Sequence, residues 1–334
     1  MPEVVVAGIL LCALLLYALT GGADFGGGVW DLLARGPRAK DQRALIAHAI
    51  GPIWEANHVW LILAVVVLFV AFPVAFAAIA IDLHVPLVLL LLGIVLRGSA
   101  FVFRAYGMAS DAEQRRWSRI FATASVVAPV MLGVVLGAAI SGRIRIDPAT
   151  GSVAPSFVDP WLAPLPFAVG ALVLALFAFL AAVYLTLEAT TAELREDFRR
   201  RALASGIAVC VTAWIALGLA HDGAPRLYAG LARSPWMLPF QLGVALVALG
   251  TFAALWLRRF AAARVLAMLQ VSLVVAGFGL AEFPYLLPPD LTIAQAAAPR
   301  VLFAPLLAAL AGGAVVLLPS LLWLFRVFKG RPQA

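Results

Sequence analysis

Apolar residues run along this chain in blocks of roughly 20, from VVVAGILLCALLLYALT at 4–20 to LLAALAGGAVVLLPSLLWLF at 306–325. Short clusters of charged residues, Gly, Pro and Ser separate the blocks. A helix of that length crosses a hydrocarbon core of about 30 Å. The pattern predicts nine spans, near residues 4–32, 51–71, 74–103, 117–140, 161–191, 201–220, 236–257, 262–287 and 301–325. The second break rests on AFPVAF around Pro73, where proline ends or kinks a helix. Residues 52–103 are too long for one crossing, so two are predicted there. The fold class expected is an all-α integral membrane protein, with residues 1–334 forming one polytopic membrane domain.

Composition agrees with this pattern: 64% of the 334 residues are apolar, 12% are charged, and mean hydropathy is +1.03. The first apolar run lacks the basic region that precedes a signal-peptide core, and its basic cluster follows it, so it is expected to be a retained helix with its N-terminus outside. That orientation sorts the +7 net charge. Inside fall Arg35, Arg38, Lys40, Arg43, Arg104, Arg115, Arg116, Arg119, Arg195, Arg199, Arg200, Arg201, Arg258, Arg259, Arg264, Arg326, Lys329 and Arg331, which are 18 of the 24 basic residues. The charge is topological and gives no reason to invoke nucleic acid. Cys12 and Cys210 lie in apolar runs and suggest neither a disulfide framework nor a thiolate metal site. The outer segments at 141–160 and 221–235 leave no room for an extramembrane domain, and no basic amphipathic segment is set apart as an element of its own.

An ionisable group inside a span is costly unless it faces protein or water, which makes each one a functional candidate. The set is Asp24, Glu55, His58, Asp82, His84, Arg97, Glu188 and Glu282. Asp24 stands among Gly21, Gly22, Gly26, Gly27 and Gly28, small residues that admit a neighbouring helix or a flat ligand. In GPIWEANHVWLI, Glu55 and His58 share a helix face, with Asn57 about 100° round from His58. A Glu-x-x-His pair is half of a di-metal site, but the chain has no second pair, so no metal centre is expected from this chain alone. For haem, only His58 and His84 lie in spans as candidate axial ligands. A protonated Glu55 in low dielectric would suit proton transfer. Arg97, two turns from Arg104, is expected either to pair with a carboxylate or carbonyl or to snorkel to the inner face. Glu282 stands before Pro284 near the outer end of the eighth span.

Together GADFGGGVWDLL, AIGPIWEANHVWLI, LFVAFPVAF, GIVLRGSAFVFR and the late FPYLLP resemble subunit II of the cytochrome bd family of quinol oxidases. The resemblance is close over about the first 105 residues and extends over the whole chain by topology. It implies a heterodimer in which a subunit I carries haem b, haem d and the quinol site. Subunit II would be its pseudosymmetric partner, with two four-helix bundles plus one peripheral helix, here a first bundle at about 1–140 and the remaining helices at about 155–330. The complex would oxidise quinol and reduce dioxygen to water in the bacterial inner membrane. A small accessory subunit and a structural quinone within this chain are further associations of the family.

Carried over by position, the resemblance makes Glu55, Asp24 and His58 candidates for a proton path and Trp60 a candidate for the mouth of an oxygen channel, while Asn57, Arg97 and Glu282 are structural polar residues within the membrane. Two departures stand out. Val102 occupies a position where some members carry an acid that feeds the proton path, and His58 replaces a Gln. A proton-coupled secondary transporter and a purely structural assembly subunit remain the competing readings of the same polar residues.

Overall fold

The computed structural model describes residues 2–51, 54–106, 110–147, 153 and 156–329. Among them nine helices are long and apolar enough to cross a membrane.

The first helix, α1 (Pro2–Leu32), carries the opening apolar run and its glycine segment without a break. After a short turn comes α2 (Ala39–Ile50), which buries Leu45, Ile46 and Ile50 along one side. Next are α3 (Trp54–Asn57) and α4 (Val59–Ala71), separated at His58, and together they make the second crossing. The short α5 (Pro73–Asp82) leads to α6 (His84–Tyr106).

Here the structure corrects the span predicted at 74–103, because the crossing is His84–Arg104 and α5 is a separate helix of 10 residues. Pro86 explains the break: it has no N–H for the Asp82 carbonyl and its ring would clash with that carbonyl in a continuous helix. Asp82 and His84 therefore sit at the end of the crossing. Asp82 is fully buried and accepts a hydrogen bond from the Ser156 backbone N–H at 3.1 Å, while His84 is exposed.

Helix α7 (Asp111–Ile140) starts at a capping box in which the Ser110 hydroxyl accepts from the Glu113 N–H and the Glu113 carboxylate accepts from the Ser110 N–H. It is followed by α8 (Pro164–Glu188) and α9 (Ala192–Gly223). Thr191 caps α9 by accepting from the Leu194 N–H, so the arginine-rich segment before residue 201 is already helical. Hydropathy marks only the apolar part of this longer helix.

Helix α10 (Pro225–Arg233) is a short amphipathic element that buries Leu227, in a stretch expected to hold no separate element of this kind. Then come α11 (Met237–Trp256) and α12 (Phe260–Glu282). The eighth crossing ends at Glu282 rather than 287, because Phe283 precedes Pro284 and is pushed to extended backbone. A small antiparallel pair, β1 (Tyr285–Leu287) and β2 (Leu291–Thr292), and a single turn, α13 (Ile293–Ala296), precede the last helix, α14 (Phe303–Lys329).

Helix α1 is the hub, packed against α4, α7, α8 and α12, while α6 lies on α7, α9 on α8 and α11 on α12. Where α1 finishes, Asp197 of α9 accepts from Arg38 at 2.6 and 2.8 Å and from Gln42 at 2.8 Å, tying the α1–α2 turn to α9. At the other end, Asp290 accepts from Arg145 and from the Ile146 N–H, fastening the β pair to the loop after α7. Helix α14 leans on α1 and leaves Val315, Val316 and Trp323 exposed.

The closest approach to α1 explains its glycines. A Cβ built on Gly26 would lie 1.9 Å from the Phe177 carbonyl oxygen of α8, and one on Gly28 would lie 2.1 Å from Ser125 Oγ of α7. Neither helix could come this near a larger residue. Because the atom opposing Gly26 is backbone, no side-chain rotation relieves the clash. Gly26→Ala is expected to cost about 1–3 kcal/mol, seen as a lower melting temperature of the detergent-solubilised protein. Gly8→Ala, with open space around it, should leave that temperature unchanged.

Candidate functional site

Two crossings face α1 where its glycines end. The interruption at His58 leaves Asn57 as the last residue of α3, 2% exposed, and its Nδ2 donates to Asp24 Oδ2 at 2.7 Å. Arg97, midway along α6 and 1% exposed, donates from Nη2 to the Asp24 main-chain carbonyl at 2.9 Å. Its guanidinium carbon lies 4.8 Å over the Phe25 ring and 5.2 Å over the Phe121 ring. Arg97 thus clamps α6 to α1 and does not snorkel. Asp24, itself 4% exposed, supplies the carboxylate acceptor for Asn57 and the main-chain acceptor for Arg97.

A second contact between the same two helices lies seven residues further along. Asp31 of α1 accepts from Arg104 of α6 at 3.3 Å through both carboxylate oxygens, and the Arg104 guanidinium lies 5.0 Å from the Phe121 ring centroid. Asp31 was absent from the candidates drawn from the sequence, although a signal was present. Asp24 and Asp31 on one helix, and Arg97 and Arg104 on another, share the seven-residue spacing that keeps two side chains on one helical face.

Glu55 and His58 do not form a pair. Glu55 is exposed on α3, whereas His58 turns inward, with Nδ1 2.9 Å from the Trp54 carbonyl oxygen and its ring edge-on to Tyr17, Phe25 and Trp54. Trp60 is buried at 9% exposure within the main apolar core on α4. Glu282 ends α12 at 6% exposure, with neither carboxylate oxygen hydrogen-bonded among the described residues. It lies apart from the Asp24 cluster, towards Arg226 of α10, whose guanidinium stacks on Tyr285 at 3.7 Å.

A cavity of about 200 Å³ opens beside Asp24 between α1, α2, α8 and α12. Asp24, Asn57, Thr20, Tyr184, Glu188 and Arg264 supply its polar lining, and Leu19, Leu185 and Met268 contribute apolar wall. The Tyr184 hydroxyl donates to the Leu19 carbonyl at 3.2 Å, and the Arg264 guanidinium lies 5.1 Å from the Tyr184 ring.

The residues present do not fit a haem. The His58 ring is walled by three aromatic rings and does not line the cavity beside Asp24, and His84 is exposed with Nδ1 at the Ile81 carbonyl. Among the described residues no group of three or more His, Cys, Asp or Glu side chains is placed to hold a metal ion.

The family described as "Cytochrome bd terminal oxidase subunit II" matches residues 2–328. The chain belongs to this family. It is similar to "Cytochrome bd ubiquinol oxidase subunit 2" of Bacillus subtilis (strain 168), 35% identical over 115 residues, which is 34% of this chain and 33% of the relative. It is also similar to "Cytochrome bd-I ubiquinol oxidase subunit 2" of Escherichia coli (strain K12), 31% identical over 139 residues, 40% of this chain and 34% of the relative. These two matches span about a third of each relative's length. A longer match, 23% identical over 328 residues and 91% of the relative, is to "Putative cytochrome bd menaquinol oxidase subunit II" of Bacillus subtilis. In fold the chain resembles a chain of the bd oxidase from Geobacillus thermodenitrificans, with a TM-score of 0.81 at 24% identity, covering 99% of both.

In this subunit II chain, Asp24→Ala takes the acceptor from Asn57 and the negative charge from the residue whose main-chain carbonyl Arg97 still holds. Asp24→Ala is expected to destabilise the protein by about 3–5 kcal/mol, the cost of leaving a buried charge uncompensated. Arg97→Leu introduced alongside should recover part of that loss. A double-mutant cycle read by thermal unfolding measures the coupling, and strict additivity of the two variants would disprove it.

Proposed function

We propose that this chain is the non-haem partner in a quinol-oxidising, dioxygen-reducing respiratory oxidase, holding a haem-bearing subunit I and contributing a route for protons. The observation that carries this reading is the family match over residues 2–328, joined to a buried acid–amide–guanidinium cluster in the first three crossings. The named relatives are ubiquinol and menaquinol oxidase subunits, which supports a quinol as the reductant of the complex.

Haem b and haem d belong to the partner in this reading, where they supply the redox chemistry and the oxygen site. The failure of His58 and His84 to offer a haem pocket supports that division.

This chain's own residues divide by where they face. Glu55, exposed on α3, is suited to pass a proton across the surface to a partner. Asp24 and His58 face inward, Asp24 beside the cavity that would bring water to it. Trp60, packed in apolar core, suits an oxygen route, since dioxygen needs no polar partner.

The cavity beside Asp24 is also the candidate site for a structural quinone. Arg264 would meet a quinone oxygen, and Leu19, Leu185 and Met268 would face the ring and tail. A first bundle at about 1–140 and a second at about 155–330 stay part of this reading, with α6 on α7 in one, α11 on α12 in the other, and α8 joining them through α1, α7, α9 and α12. With Arg38, Arg43, Arg195 and Arg199 gathered where α1 finishes, the charge rule favours that end as cytoplasmic, with the N-terminus outside, in the bacterial inner membrane.

Co-expression with the haem subunit should give haem bands in a redox difference spectrum and quinol-dependent oxygen uptake that the lone chain lacks. In the assembled pair, Glu55→Gln is expected to slow oxygen uptake by about tenfold or more, the scale of removing a positioned proton-transfer group, with the haem spectrum unchanged. Unchanged uptake would remove Glu55 from the proton route. Absence of haem and of uptake from a correctly assembled pair would reject the oxidase reading itself.

A further inference from the structure

Three buried polar atoms near Asp24 make no hydrogen bond among the described residues: Tyr17 Oη, His58 Nε2 and Arg97 Nε. They share one locality. The Tyr17 and His58 rings meet edge to face with centroids 5.9 Å apart. The His58 ring meets Phe25 at 6.0 Å, and Arg97 lies over that same Phe25 ring at 4.8 Å. Tyr17 and Arg97 are each 1% exposed, so bulk solvent does not serve them. Buried donors and acceptors left dry forfeit their hydration with nothing in return, and native interiors rarely tolerate several in one place.

The pattern of donors and acceptors identifies what fits among them. The Trp54 carbonyl oxygen, 2.9 Å from His58 Nδ1, can only accept, so the proton sits on Nδ1 and the neutral ring presents Nε2 as an acceptor. Arg97 Nε–H can only donate, and the Tyr17 hydroxyl does both. The occupant must therefore accept from Arg97, donate to His58 and satisfy Tyr17. A lipid tail or an apolar gas does none of this. An anion is opposed by the Asp24 carboxylate and cannot donate to Nε2, and a cation is opposed by Arg97. Water has the required two donors and two acceptors, and buried waters typically make about three hydrogen bonds.

We infer that Tyr17, His58 and Arg97 hold an internal water site, of one molecule or a short chain, that solvates the Arg97 guanidinium beside Asp24. The inference is independent of the oxidase reading, since it rests on these three side chains alone. It also gives His58 a role distinct from Glu55: the imidazole closes a polar chamber inside the bundle. Asp24, whose main-chain carbonyl holds Arg97, also lines the cavity with Thr20, Asn57 and Glu188, so exchange of the inferred water with solvent would pass along that side of α1.

X-ray radiolytic labelling of the assembled complex in lipid nanodiscs, in water enriched in oxygen-18, tests the site, because activated bound water marks the side chain it touches. Tyr17 is expected to take up the label, while Phe72 and Phe179, at 0% and 2% exposure within apolar packing, stay unlabelled. A Tyr17 as silent as those two would overturn the inference. His58→Leu should lower labelling at Tyr17 several-fold, and an undiminished signal would show that His58 is no ligand of the water. A high-resolution cryo-EM map of the same complex supplies a readout free of any variant. Ordered density bridging Tyr17 Oη and Arg97 Nε is the expected result, and direct bonds among the three side chains, with no room between them, would refute it.

Discussion

A guanidinium buried within a membrane-spanning bundle must find acceptors and an opposing charge close by, or the helix that carries it will not insert and stay. Arg97 meets that demand on α1. It reaches the Asp24 carbonyl oxygen, lies over two aromatic rings, and so sits beside an acidic residue. The carboxylate is in turn held by Asn57. Three crossings thus converge on one acid, and their relative rotation is set by polar contacts that lipid cannot replace.

Those contacts require α1 to accept neighbours at very short range, which its glycines permit. On one side of the helix Phe177 and Ser125 press directly against Gly26 and Gly28; on another, the Asp24 main-chain carbonyl and the Asp31 carboxylate accept from Arg97 and Arg104 of α6. Small residues and acids alternate along about two turns, so the same segment serves as packing surface and as electrostatic anchor. Tertiary hydrogen bonds of this kind are individually modest, but they fix rotation where apolar packing against lipid-like side chains would leave it loose.

The division of polar residues into inward and outward sets bears on how such a subunit could take part in proton movement. Asp24, Asn57, His58 and Arg97 form an interior in which the one buried guanidinium sits beside the acidic residue Asp24. Glu55 lies outside it, on the exposed side of α3. An acid at the surface can exchange protons with whatever covers it, whereas the interior cluster orders the helices that position that acid.

Hydrophobic periodicity by itself pointed to a mostly helical membrane protein, and among the described residues nine helices are long and apolar enough to cross, because a run of about 20 apolar residues has few other stable states in lipid. The short motifs around Asp24, Asn57 and Arg97 also marked residues that the fold brings together. Element ends were less legible where proline acts at a distance, as Pro86 does in dividing α5 from α6, or where charged turns extend a helix beyond its apolar part, as in α9. The pairing of side chains was decided only by tertiary structure. Spacing placed Glu55 with His58 on one face, but the interruption at His58 turned one outward and the other in. The Asp31–Arg104 pair was written in the seven-residue spacings of two helices, yet nothing in one dimension says which helix lies against which. Partner choice depends on how close two backbones come, and that distance is set by packing across the whole bundle.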